Sequence, residues 1–228
     1  MDRVKKEIIK WLLQPSIQDL VDSLRLNDIY NRLALEKDAS WNSTLTEFFM
    51  DLGIDPLKYI QVEIPKGMYH TLSVEGIVVP NTVKKIRESA FADCRQLKSV
   101  VISDSVTFME AFAVSGCTHL KNVTLGKRLT TLGSNVFRNC DSLEEIYIPN
   151  NVTYIMGSAF SNCYSLKKIS LPGTMTYIET GLLFSTTTPE LKDVEFRGTG
   201  KYFREIMPKG VGGHYGITVH CDDEEFEV

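Results

Sequence analysis

Four cysteines recur in this chain at an interval of 23 residues, and a leucine follows each of them three positions later. The cysteines are Cys94, Cys117, Cys140 and Cys163, and the leucines are Leu97, Leu120, Leu143 and Leu166. A fixed period of roughly 20 to 50 residues is typical of repeat proteins, in which short stacked units build one continuous core. The spacing therefore predicts a solenoid that places the four cysteines in a single file.

The residues that follow each leucine predict the shape of one unit. Ile146 and Ile148 flank Tyr147, an alternation that gives a short strand one buried and one outward side. A second short extended piece ends at Ile155, and the pair Ala159–Phe160 suits a helical turn that fills the coil. Equivalent strands of neighbouring units should then run parallel, roughly 4.8 Å apart.

Two units depart from this pattern. In the second unit Phe112 comes two places early and Val114 takes the usual phenylalanine place, so we expect a local rearrangement there and not a break. The fifth unit, residues 169–193, is two residues longer and lacks the cysteine. Beyond Val194 the 23-residue period is lost, and five glycines between residues 198 and 213 predict loops.

The units resemble the BspA-like class of leucine-rich repeat, whose pattern is close to I-P-x-x-V-x-x-I-x-x-x-A-F-x-x-C-x-x-L. The resemblance covers about residues 77–196. It implies a right-handed solenoid used for protein–protein contact, often in adhesins of bacteria and parasites. The closing segment Ile217–Asp222 is similar to the strand that ends many short repeat proteins of this class in bacteria and their phages.

The predicted fold is a β-rich leucine-rich-repeat solenoid of stacked parallel strands and short helical turns, with an N-terminal α-helical cap. Residues 1–58 form the helical cap or a small domain, residues 59–196 the solenoid, and residues 197–228 a C-terminal capping loop and strand. Solenoids need ends that cover the exposed core, which favours the cap. The alternative is a separate partner-binding domain, with aromatic anchors at Trp11, Trp41, Phe48 and Phe49.

The net charge limits the class of partner, and the number of cysteines indicates the compartment. The chain has 25 Lys and Arg against 29 Asp and Glu, a net charge of −4, and we expect no nucleic-acid partner because duplex binding neutralises several phosphates. No apolar signal segment and no run of about 18 apolar residues is present, so we expect no membrane contact and a cytoplasmic location. Five cysteines, an odd number, fit a reducing compartment.

No arrangement of side chains in the sequence indicates catalysis. Zinc ligands come in pairs two to four residues apart, so the cysteine column is interpreted as buried core and not as a metal or redox site. His220-Cys221-Asp222-Asp223 offers metal ligands, but alternate side chains of one strand point to opposite faces. The glycines between Gly210 and Gly216 do not form a phosphate-binding G-x-G-x-x-G. We expect a protein that is not an enzyme and that has no cofactor or metal.

The outward positions of the strands are the candidate binding residues. On the first strand of each unit they are Val101, Thr124 and Tyr147, flanked by Glu145 and Lys168; on the second strand they are Phe108, Tyr154 and Tyr177. A column of threonines, Thr107, Thr130, Thr153 and Thr176, invites an ice-binding interpretation. Because aromatic residues interrupt this column and β-branched residues suit any pleated surface, protein contact is favoured.

These observations predict a non-enzymatic protein-binding module that presents a repeat-built β-face to a macromolecular partner. A phage or bacterial inhibitor or effector that binds a host protein is one specific form of it. The alternatives are a structural protein that self-associates and, third, a surface adhesin. We expect a monomer or a homodimer. Five strands give a face of roughly 360 Å², which is short of the ~800 Å² of a standard interface, so other segments should join in or the affinity should be weak.

Overall fold

The computed structural model describes residue 50 and residues 63–179, 188–207 and 216–227. The predicted N-terminal cap and its anchors Trp11, Trp41, Phe48 and Phe49 lie outside the described residues. The strands are β1 (Glu63–Ile64), β2 (Gly76–Val78), β3 (Lys85–Ile86), β4 (Ser99–Val101), β5 (Phe108–Met109), β6 (Asn122–Thr124), β7 (Thr131–Leu132), β8 (Glu145–Tyr147), β9 (Tyr154–Ile155), β10 (Lys168–Pro172), β11 (Asp193–Arg197), β12 (Thr218–Cys221) and β13 (Glu225–Glu227). Helix α1 spans Gly200–Ile206.

The strands form parallel ladders that confirm the predicted solenoid. The first strands of successive coils give β2-β4-β6 and then β8-β10-β11-β12, which we call the first face; β13 joins its end antiparallel to β12. The second strands give β1-β3-β5-β7-β9, which we call the second face. Pairing follows the sequence period, since Ser99 lies opposite Asn122 and Thr131 lies opposite Tyr154.

A third side of each coil is made of turns, and it differs from the predicted helical turn. The N–H of Ala90 donates to the C=O of Arg87, three residues back, whereas the N–H of Phe91 donates to the C=O of Ala113 in the next coil. Two positions of each coil have a positive φ, and these are where the chain reverses. One column contains Gly67, Ser89, Phe112, Asn135 and Ser158, and the other contains Thr71, Asp93, Gly116, Asn139 and Asn162.

The second coil keeps this backbone geometry, so the stack is not broken there and the departure from the repeat pattern is confined to which side chain fills each position. Phe112 occupies the position with positive φ, at 58°, and its ring is partly exposed. Val114 is fully buried in the place that Phe91 and Phe137 hold in the neighbouring coils. The rings of Phe137 and Phe160 are nearly parallel, with centroids 5.7 Å apart, so the aromatic residues fill the coil as predicted.

The four cysteines lie in a single file inside the solenoid, which confirms the central sequence prediction. Each thiol donates a hydrogen bond to a carbonyl of the preceding coil: Cys94 to Tyr69 at 2.8 Å, Cys117 to Phe91 at 3.2 Å, Cys140 to Val114 at 3.3 Å and Cys163 to Phe137 at 3.1 Å. All four are buried and unbridged. The side chains are small apolar core residues that also satisfy backbone acceptors.

The first face continues beyond the 23-residue repeats. Ile169, Val194 and Val219 are register partners and stand 25 residues apart, so β11 and β12 extend the same parallel sheet although the sequence period has changed. Thr199 caps α1 by accepting a hydrogen bond from the N–H of Tyr202, and Phe203 of this helix packs edge-on against Phe196 with ring centroids 5.1 Å apart. This end of the chain therefore completes the core.

Candidate binding surface

A line of exposed apolar side chains runs across the first face. Val78, Val101 and Tyr147 are 69%, 37% and 53% exposed, and Thr124 stands between the last two. The alternation predicted for each unit places these side chains outward, because their neighbours Ile77, Val100 and Ile146 point into the core. Further along, the same column turns polar, with Ser170, Glu195 and His220.

Tyr147 is held in place by a cation from a distant part of the chain. The guanidinium of Arg197 lies over its ring, and the same guanidinium donates hydrogen bonds to the C=O of Ile148, the hydroxyl of Ser170 and, at 3.1 Å, the side-chain oxygen of Asn150. A ring fixed in this way loses little conformational freedom when a partner binds.

Charged side chains border this line in pairs that link successive coils. Lys98 contacts Glu75 at 2.9 Å, Lys167 contacts Glu144 at 2.8 Å, and Lys168 lies 3.7 Å from Asp193 and 3.9 Å from Glu195. These pairs are exposed, so each contributes little to stability. The border is therefore a polar rim around an apolar centre, an arrangement typical of protein interfaces.

The second face carries Phe108 and Tyr154, whereas Tyr177, predicted on a second strand, lies in no strand of that face. The Lys85 ammonium lies 5.4 Å from the centre of the Phe108 ring, and the Tyr154 hydroxyl donates to Glu179 at 3.1 Å, a hydrogen bond that raises the pKa of the phenol. Tyr177 is 43% exposed. The threonine hydroxyls bind backbone: Thr107, Thr130 and Thr176 donate to the carbonyls of Lys84, Thr107 and Thr153 in the preceding coil. This column thus has a structural role in linking coils.

The structure divides the predicted binding residues between two surfaces. Val101, Thr124, Tyr147, Glu145 and Lys168 share the first face, and Phe108 and Tyr154 share the second. Tyr177 lies in the coil after β9 and in no strand, next to Thr176, whose N–H donates to the C=O of Thr153. Their role in binding stays a prediction. Val78 was not among the predicted residues, although it stands one unit before Val101 in the same register. Arg197 was not among them either, because it lies outside the 23-residue repeats and the sequence holds no signal for its contact.

The residues considered as metal ligands or nucleophiles, His220 and the buried cysteines, are in surroundings that do not suit those roles. His220 contacts Glu225 at 2.8 Å and Asp193 at 3.5 Å, and no group of three or more His, Cys, Asp or Glu in the described residues is placed to hold a metal ion. Burial raises the pKa of the Cys94 and Cys163 thiols to about 12, so these thiols are poor nucleophiles at neutral pH. Within the described segments no helix has the length and apolar character needed to cross a membrane.

Solved structures with the same fold include several bacterial leucine-rich-repeat proteins. A leucine rich cell surface protein from Faecalibacterium prausnitzii A2-165 is 32% identical, with a TM-score of 0.57, over 61% of this chain and 36% of that one. A leucine-rich repeat protein from Bacteroides ovatus ATCC 8483 is 36% identical, with a TM-score of 0.54, over 59% of this chain and 34% of that one. The T. pallidum leucine rich repeat protein is 27% identical, with a TM-score of 0.52, over 59% of this chain and 62% of that one.

The match thus spans only about a third of the length of the first two relatives. Comparison with curated protein sequences gives no match. The BspA type leucine rich repeat region matches residues 62–189 in six copies, which is more than half of the chain and includes the four-cysteine file. The chain therefore belongs to the BspA type leucine rich repeat family.

Proposed function

We propose that this protein is a non-enzymatic module that binds a protein partner through the first face of its solenoid. The observation that carries the proposal is the line of Val78, Val101 and Tyr147, three apolar side chains exposed in one column of the first face, with Thr124 between the last two. Soluble proteins rarely align exposed apolar side chains without a partner, and tyrosine is enriched in interface cores. Hydrogen-bonded ladders join β2, β4 and β6 beneath Val78 and Val101, and β8 and β10 beneath Tyr147, which gives each part of the line a preorganised base.

Size limits the affinity that this face can provide. Seven strands at about 4.8 Å and a width of about 15 Å give roughly 500 Å², whereas a standard interface buries ~800 Å² on each partner. The face alone should therefore bind with modest affinity, and tighter binding requires contacts outside it. We include in the proposal a cytoplasmic location, which the five unbridged cysteines favour, and a role as an inhibitor or effector of a host protein as one specific form.

The experiment that tests this function compares two variants. One carries Val78→Ser, Val101→Ser and Tyr147→Ser together, and the matched control carries Tyr164→Ser. Tyr164 is 52% exposed, like Tyr147, but lies in the turn that follows Cys163 and outside the first face. Immobilised wild type and both variants are incubated with lysate, and captured proteins are quantified by mass spectrometry.

A partner captured by the wild type and the control but lost by the triple variant would support the proposal. Equal capture by all three proteins would refute the assignment of the first face. Light scattering of the purified chain tests the structural alternative, because concentration-dependent assembly that the triple variant abolishes would identify a second copy as the partner.

A further inference from the structure

The first face is interrupted at one junction, between β6 and β8. At each neighbouring junction of this face, a backbone hydrogen bond lies at each end of the strand pair. Between β4 and β6, for example, Lys121 N–H donates to Lys98 C=O at 3.0 Å, and Ile102 N–H donates to Thr124 C=O at 2.8 Å. Neither bond has an equivalent between β6 and β8, and the two strands belong to different sheets. We call this opening the seam.

Only one side of the solenoid is open here. Between the same two coils Thr131 pairs with Tyr154 on the second face, and the N–H of Phe137 donates to the C=O of Ala159 at 2.9 Å on the side of turns. Two side chains bridge the coils beyond the ends of the strands: Asn151 donates to the C=O of Lys127 at 2.8 Å and Ser142 to that of Thr118 at 2.7 Å. The seam is therefore a bounded slot between two coils that are joined on their other two sides.

The opening exposes both apolar surface and polar backbone. Val123 is partly exposed, whereas the residues at its register positions in the other coils are buried, namely Ile77, Val100, Ile146, Ile169, Val194 and Val219. Leu125 N–H and Tyr147 C=O lack the bond that joins their equivalents in neighbouring coils. Beside them lies a cavity of about 330 Å³, whose lining includes Val123, Thr124 and Tyr147 but not Leu125. Backbone groups left unpaired in such a place favour a ligand that restores their hydrogen bonds.

The two sides of the seam, formed by β6 and β8, carry opposite charges. Lys121 precedes β6, and Glu145 begins β8; both line the cavity. Neither side chain is within 4 Å of an opposite charge in the part of the chain that the structure describes. Lys98 and Lys167, which hold the position of Lys121 in other coils, each have such a partner. A ligand that places an acidic group near Lys121 and a basic group near Glu145 is electrostatically complementary to the slot.

We propose that the seam is the docking slot for an extended polypeptide segment of the partner. One peptide group of that segment would accept a hydrogen bond from Leu125 N–H through its C=O and donate one to Tyr147 C=O through its N–H. Flanking side chains, one acidic and one basic, would pair with Lys121 and Glu145. This inference rests on the proposed function, since it specifies the chemistry of the partner at the first face.

The test uses random linear peptides of about a dozen residues, displayed on phage and selected on the immobilised full chain. The consensus peptide is synthesised, and its affinity is measured by titration calorimetry. Two charge-exchanged proteins are compared: Lys121→Glu with Glu145→Lys at the seam, and Lys66→Glu with Glu88→Lys, an ion pair of 3.1 Å between two coils outside the first face. Both exchanges leave the net charge unchanged, and only the first alters the seam.

We expect a consensus with one acidic and one basic residue, a loss of at least about tenfold in affinity for the seam exchange, and recovery with the charge-reversed peptide. The exchange of Lys66 and Glu88 should leave affinity unchanged. Bound peptide should also slow the hydrogen exchange of the Leu125 amide, measured by NMR. Failure to enrich any peptide, equal binding by both exchanged proteins, or an unchanged Leu125 exchange rate would each overturn the inference.

Failure of the seam can be distinguished from failure of the proposed function. The variant Val78→Ser with Val101→Ser removes apolar contacts from the first face but leaves the seam residues intact. If it loses the captured partner while no peptide binds the seam, the first face stands as the interface and the seam proposal alone is refuted.

Discussion

The guanidinium of Arg197 lies 4.1 Å from the centre of the Tyr147 ring, and the two residues are 50 positions apart in the chain. Ser170 of the intervening strand β10 is bound by the same guanidinium, so three successive strands of the first face share one contact. The stack thus uses a residue from beyond the 23-residue repeats to fix the most exposed aromatic side chain of the first face. This contact connects the C-terminal coils to the proposed binding surface.

Replacing Arg197 should weaken binding although the residue is not one of the proposed contacts. In Arg197→Met the Tyr147 ring becomes free to rotate, and fixing one side chain on binding costs about 0.5 to 1.5 kcal/mol. We expect affinity for a captured partner to fall about 2- to 10-fold, measured by surface plasmon resonance.

The matched control for this prediction is Arg204→Met. Arg204 also lies 4.1 Å from the centre of an aromatic ring, that of Phe226, and forms a two-pronged contact with Glu224, but at the far end of the stack. Its loss should leave binding unchanged. A similar drop in affinity for both variants would show that general destabilisation, and not the loss of the Tyr147 contact, is the cause.

The positive φ of Phe112 predicts a difference between two substitutions. Asparagine tolerates this left-handed conformation and β-branched valine does not, so Phe112→Asn should be more stable than Phe112→Val by about 1 kcal/mol. Both variants lose the partly exposed ring, so the comparison isolates the backbone preference. The free energies of unfolding are measured in urea. Equal values would mean that the backbone at position 112 does not keep the positive φ seen in the structure.

The state of the cysteines predicts a pattern of chemical labelling. Burial raises the pKa of Cys94 and Cys163 to about 12 and puts those of Cys117 and Cys140 well above 9. Cys221 is less buried, and desolvation followed by the nearby carboxylates raises its pKa to about 11. Since the thiolate is the reactive form, iodoacetamide at pH 8 should modify the native protein slowly and only at Cys221.

Mass spectrometry gives the readout of that labelling. Native protein should gain at most one adduct, and protein in concentrated urea should gain five. The control variant Cys221→Ser should gain none when native and four when unfolded. Rapid native labelling at any cysteine of the buried file would contradict the packing described above.

The sequence period predicted the core well because every coil obeys the same packing constraint. Each inward residue is shielded by its equivalents above and below, so the 23-residue spacing determines both the cysteine file and the register of the strands. The turn at Ala159–Phe160 was predicted less well. In the equivalent turn of the preceding coil, the alternate N–H groups of Asn135, Phe137 and Asn139 donate to the next coil, a choice set by the left-handed Asn135 and Asn139 and not by helix propensity.

The candidate site was less predictable because it depends on differences between coils. Val123 occupies the same unit position as Val100, and no local pattern distinguishes them, yet only Val123 borders an open junction. Arg197 comes from a coil with a different length, so its contact with Tyr147 follows from three-dimensional packing alone. A repeat pattern predicts the features that all coils have in common. The interruption between β6 and β8 occurs at a single junction, so the pattern does not predict it.

A network on the second face predicts how stability depends on pH. Glu110 accepts hydrogen bonds from Lys85 at 2.8 Å, from Arg87 at 3.1 Å and from the N–H of Glu88 at 2.9 Å. Burial acts to raise the pKa of Glu110, but the hydrogen bonds from Lys85 and Glu88 together with the charges of Lys85 and Arg87 outweigh it and lower the pKa below 4.5. Its contribution to stability is therefore complete above about pH 4.5 and is lost as pH falls through the lower, folded-state pKa.

The variant Glu110→Gln should therefore unfold at a lower temperature than the wild type at pH 7, by about 2 to 4 °C, and the difference should shrink below pH 4.5. Thermal unfolding followed by circular dichroism between pH 7 and pH 3 measures this. Glu144→Gln is the control, because Glu144 pairs with Lys167 on the exposed rim and solvent screens that pair. It should change the midpoint much less. Wild-type and Glu110→Gln curves that stay parallel down to pH 3 would show that the charge of Glu110 does not stabilise the coils it joins.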